Sequence, residues 1–128
     1  MATSLEHEAR ALTPNEQQAL IAVLQRGTSS DAQRPVTTAD RARWLAQVPR
    51  TRAGRTCGCG TCPSIELTDA AGRIPLTGGG RLVLEAEAAG ALLMLFVDED
   101  RLSYLELAPL EVEDGASTFP APEDIGTS

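Results

Sequence analysis

The chain contains no lysine; all eleven of its basic residues are arginine. Without a lysine amine there is no Walker-type phosphate loop, no Schiff-base chemistry and no kinase-type phosphate lysine. Histidine occurs once, as His7, so a Ser-His-Asp or Cys-His arrangement has a single base, and a badly placed one. Aromatic residues make up 3% of the chain, which leaves the core to Leu, Val, Ile and Ala. No apolar run reaches the roughly 18 residues that a membrane helix needs. Met1 to Arg10 carries two glutamates and no apolar stretch, unlike a secretory leader. These absences predict a cytoplasmic protein, not an enzyme, with no membrane association.

The chain's 128 residues, 42% hydrophobic and 23% charged, suit one domain over 1–128 with its own buried core. Charge is divided along it. Residues 1–80 hold nine Arg against seven acids, while residues 81–128 hold two Arg against eleven acids, within a total of −7. So acidic a second half argues against nucleic acid, where phosphate neutralisation supplies most of the affinity.

Helix signals come first. Thr13-Pro14-Asn15-Glu16 combines an N-cap threonine, a proline at the first helical position and the Glu of a capping box. Leu20, Val23 and Leu24 follow at helical spacing, and Gly27 ends the run. A second helix is predicted from Thr38 or Ala39 to Val48, with Ala42, Leu45 and Val48 on one face and Trp44 at or beside it. From residue 64 the period becomes two. SIELTD and RLVLEAEA alternate apolar and polar residues, and ALLMLFV is apolar throughout, as in a central strand or one covered on both faces. Asp98 to Arg101 then joins ALLMLFV to LSYLELA as a hairpin. The expected fold is α+β: two N-terminal helices packed on a roughly four-stranded antiparallel sheet, with an extended acidic C-terminal tail. By segment this means a mobile 1–10, a helical 11–49, an Arg/Cys/Gly loop over 50–63, the sheet over 64–108 and a proline-bearing acidic tail over 109–128.

Two groups of residues are candidates for function. Cys57, Cys59 and Cys62 are the only cysteines and stand as C-x-C-x-x-C in the stretch RTCGCGTCPSIEL. Three thiolates in a glycine-rich turn could hold zinc or a softer ion, with a fourth ligand from elsewhere. They could also form a redox pair, although Pro63 and a strand follow where a thioredoxin-like site has a helix. The plain alternative is a turn whose small side chains pack as weak hydrophobes. The second group is acidic. If Ile65, Leu67, Leu82, Leu84, Leu105 and Leu107 face the helices, then Glu66, Glu85, Glu87, Tyr104 and Glu106 share the opposite face. Such a patch suits a basic protein partner. It equally fits a solvated face whose charges serve solubility. The run Arg41, Arg43, Arg50, Arg52 and Arg55 has no aromatics interleaved for base stacking and is expected to pair with the chain's own acids.

Three segments together, RALTPNEQQAL, GRTCGCGTCPSIEL and FVDEDRLSYLEL, resemble a group of small uncharacterised bacterial proteins from high-GC genomes. That group has a similar helix start, a Cys-Gly-Cys-Gly knot leading into a strand and a late strand reading Arg-Leu-Ser-x-Leu-Glu. Cys57, Cys59, Cys62, Pro63, Glu66, Tyr104 and Glu106 match those blocks. Thr61 departs from the pattern by widening the last cysteine spacing, and Glu99-Asp100 occupies a turn where a glycine is expected. The resemblance implies a fold and no activity. The sequence therefore leads to a non-enzymatic interaction module, an adaptor, inhibitor or immunity-like protein using an acidic sheet face. The alternative is a zinc protein built on the cysteine knot.

Overall fold

The computed structural model describes residues 9–56, 62–74, 80–88, 90–109 and 118–127. After a two-residue strand β1 (Arg10–Ala11) comes α1 (Pro14–Arg26), which starts where its capping signals place it. The Thr13 hydroxyl accepts from the Glu16 N–H at 3.1 Å, and the Glu16 carboxylate accepts from the Thr13 N–H at 2.9 Å. Arg10 adds a two-pronged bond to the same carboxylate, both contacts 2.8 Å. Burial pushes the Glu16 carboxyl up, and the bonds from Arg10 and Thr13 outweigh it, leaving it below its ordinary value. At the far end Gly27 donates to Val23 O at 2.8 Å. A Cβ there would stand 2.6 Å from that oxygen, so close approach, not a positive φ, demands the glycine. Leu20, Val23 and Leu24 are fully buried.

Next come β2 (Thr28–Ser29) and α2 (Thr38–Leu45), the latter opened by a second capping box between Thr37 and Asp40. Arg41 reaches back from α2 to the Leu24 and Gly27 carbonyls, 2.8 Å each, and caps the end of α1. This helix is shorter than predicted. It stops at Leu45, Val48–Arg50 forms a separate 3-10 turn around Pro49, and Ala42 is exposed while Trp44 is buried.

The strands β3 (Arg52–Thr56), β4 (Ile65–Thr68), β5 (Arg81–Ala88), β6 (Ala91–Asp98), β7 (Arg101–Pro109) and β8 (Ile125–Thr127) complete the sheet. Its order is β1-β3-β4-β7-β6-β5-β2, with β8 beside β2 on the outer edge of β5. Every pairing is antiparallel. The class is α+β, but the described sheet has eight strands and not four. The extra strands come from segments read as helix, loop and tail. They are two to five residues long, too short to show a period, and RAGRT in β3 has no apolar alternation. Pairing makes them strands: β2 lies beside Leu84 and Glu85 of β5, β8 beside Ala86 to Ala88, and β1 beside the start of β3.

Of the proline-bearing C-terminal segment the structure describes residues 118–127. These residues return to the body. Phe119 is buried, and its backbone is clasped by the Asn15 amide at 2.9 and 3.0 Å. Arg26 donates to the Pro122 and Ile125 carbonyls, which delivers β8 to its edge. Both helices lie on one face of the sheet, over Leu84, Leu93, Leu95, Leu105, Leu67 and their neighbours. Among the described residues no helix is long and apolar enough to cross a membrane.

Candidate functional site: the outer sheet face

The β6–β7 hairpin sets the position of everything on the outer face. Its two-residue turn places Glu99 at φ 54° and Asp100 at φ 65°, as a type I′ turn requires and as few residues other than Gly, Asn or Asp accept. The strain is held by α2. The Asp100 carboxylate accepts from Trp44 Nε1 at 2.8 Å and from Arg43 at 2.7 and 2.9 Å. Gln47 bonds the turn backbone twice, donating to Asp100 O at 2.9 Å and accepting from the Leu102 N–H at 3.1 Å. With Arg43 as the main cause, the Asp100 carboxyl lies below the ordinary carboxylate range.

From that turn the register runs in rows. Val83, Phe96, Tyr104 and Glu66 pair in one row across β5, β6, β7 and β4. Glu85, Met94 and Glu106 form the next, and Glu87, Leu92 and Ala108 the third. Alternation puts these residues opposite the helix-covered face. The five residues expected there, Glu66, Glu85, Glu87, Tyr104 and Glu106, are therefore on one face. Glu87 is exposed and the other four are half-buried.

What the sequence reading missed is the stripe between them. Leu92, Met94 and Phe96 run down β6 along the middle of this face, half-buried, with no described helix over them. A continuously apolar run looks like a strand covered on both faces. The available signal lay in the neighbours, because β5 and β7 both put glutamates on the face that β6 shares. Phe96 meets Tyr104 edge to face, with ring centroids 6.1 Å apart. The Arg81 guanidinium lies over the Phe96 ring at 4.9 Å and forms two bonds to Asp98, 2.7 and 2.9 Å. Asp98 is only 1% exposed, and Arg81 holds its carboxyl below the usual range. Ile74, at 54% exposure, borders a shallow groove of about 350 Å³ with Phe96, Tyr104, Glu66 and Glu106.

One acid of the patch is partly committed. A β-bulge between Ala53 and Thr56 turns the Arg55 N–H toward Glu66, whose carboxylate accepts it at 3.1 Å. A second cavity, about 460 Å³, lies on the helix side of the hairpin turn between Arg34, Trp44, Leu82 and Val97. Of its two acids, Glu99 and Asp100, the second is already bonded to Arg43 and Trp44. Of the arginine run, Arg43 pairs with Asp40 and Asp100, Arg41 caps α1 and Arg52 reaches Ala9 O at 3.4 Å.

Of the cysteine knot, Cys57 and Cys59 lie outside the described residues, as does His7; Cys62 is half-buried just before β4. Among the described residues no three His, Cys, Asp or Glu side chains are gathered to hold a metal. Compared with models of protein families, with curated proteins and with solved structures, the chain has no match.

Proposed function

We propose that this protein is a non-enzymatic interaction module whose outer sheet face binds a basic protein partner. One observation carries the reading: the register sets Glu85 and Glu106 on either side of Met94, in a single row, so the middle of the apolar stripe is flanked by carboxylates on both sides. An apolar strip gives a partner area to bury, and the flanking charge selects a basic one and speeds encounter.

The test is site-specific photo-crosslinking in cells that make the protein. A photoreactive residue at Met94, on the outer face, is compared with one at Gln25, exposed on α1. Adducts are expected only from position 94, at partner peptides where Lys or Arg borders apolar residues. They should disappear when Glu85, Glu87 and Glu106 are all changed to Lys. Identical adducts from both positions, or adducts indifferent to the charge reversal, would end this reading.

A further inference from the structure

Resting on that reading, we infer that the partner element seated on the outer face is a single amphipathic helix, lying along β6 with basic residues on both sides of its apolar seam. The dimensions of the face match those of a helix. Neighbouring strands are about 4.8 Å apart, so Glu85 and Glu87 on β5 stand about 10 Å from the line of Glu106 on β7, with β6 midway. That separation is about the diameter of one α-helix, roughly 10 Å. Leu92, Met94 and Phe96 follow at alternate positions of β6 and span about 13 Å, the length of two to three helical turns. A helix in this channel puts its apolar seam on the stripe. Lysine or arginine stems from its flanks reach Glu85 and Glu87 on one side and Glu106 on the other.

The other occupants fit worse. A second sheet packs about 10 Å away and needs apolar residues on several adjacent strands. Here it would bury the β5 and β7 glutamates without partners, at a desolvation cost. A second copy of this chain, face to face, sets glutamates against glutamates. At the hairpin-turn side Arg81 packs against the Phe96 ring, so that end of the seam lies next to a fixed cation.

The experiment uses the full chain and two 18-residue peptides of the same Leu and Lys composition. In one, Leu forms a helical seam with Lys on both sides; in the other, the order is permuted so that no seam exists. Binding is followed by anisotropy, the site by amide shift mapping, and the peptide's conformation by far-UV circular dichroism. The seam peptide is expected to bind at least tenfold more tightly, to gain helix and to shift amides of β5 to β7. The pair Glu85→Gln and Glu106→Gln should bring it to the level of the permuted peptide while leaving the protein's unfolding midpoint in place. Equal binding of both peptides on the outer face overturns the helix and leaves the acidic-face reading standing. Binding only at another face, or none, also overturns the helix, and the acidic-face reading falls with it only if the Met94 adducts are missing too.

Discussion

The two faces of β6 teach the most about this molecule. Its inward residues, Ala91, Leu93, Leu95 and Val97, are buried on the face that α1 packs against, in one core with those of β5 and β7. Its outward residues, Leu92, Met94 and Phe96, are nearly as apolar but only half-buried, with Glu87 beside Leu92 and both Glu85 and Glu106 beside Met94. One strand thus serves two purposes. Burial against a helix holds the fold together, whereas the outer face has no described helix over it and is the surface proposed for a partner. Alternation along the strand makes the two roles separable, because changing one face leaves the other's neighbours in place.

The sharpest test of that separation is a pair of truncations. Leu95→Ala opens a cavity in a closed core and should cost about 2–5 kcal/mol. Met94→Ala should cost about 1 kcal/mol or less, since its side chain is already half in water. Denaturant midpoints of the two variants decide the matter, and equal losses would mean that the outer face is as much a core as the inner one.

Arg81→Ala comes next. It strands the buried Asp98 carboxylate and should cost about 2 kcal/mol at neutral pH, at the low end for a broken pair because Arg81 itself is half in solvent. Asp98 titrates below its unfolded value, so its stabilising contribution is present above the ordinary carboxylate pKa and is lost as pH falls through the lower folded value. The gap between wild type and Arg81→Ala should therefore narrow below about pH 4, which a pH series of unfolding curves would show.

The hairpin turn allows a finer comparison between two adjacent residues with positive φ. Asp100→Gly removes the acceptor shared by Trp44 and Arg43 and should lose about 1–2 kcal/mol despite relieving φ. Glu99→Gly relieves φ without losing any such acceptor and should be neutral or stabilising by up to about 1 kcal/mol. Thermal melts of the two single variants separate strain from side-chain bonding.

The smallest effect on stability belongs to the proposed binding residues. Glu85→Gln, Glu87→Gln and Glu106→Gln should each move stability by no more than about 0.5 kcal/mol, while together removing outer-face binding. A large loss of stability in any of them would make that glutamate part of the fold rather than of the surface.

Much of this was legible in the residue pattern, for reasons that particular elements make clear. α1 was readable because Thr13, Pro14 and Glu16 act within one turn of the chain. The alternation of β4, β5 and β7 was readable because one side of each strand is core and the other is not. The Glu99-Asp100 turn was readable as a turn, though not as one whose strain Trp44, Arg43 and Gln47 would have to hold, since those partners are more than fifty residues away.

What the sequence by itself determined was local: where helices start, which residues of a strand share a side, and the chemistry a lysine-free, histidine-poor chain lacks. The tertiary structure decided which strands are neighbours. Pairing made strands of β1, β2, β3 and β8, whose few residues carry no period of their own. It also laid the Leu92, Met94 and Phe96 stripe between Glu85 and Glu87 on one side and Glu106 on the other, because the spacing that defines such a surface runs across strands, where hydrogen-bond register and not sequence order fixes distance.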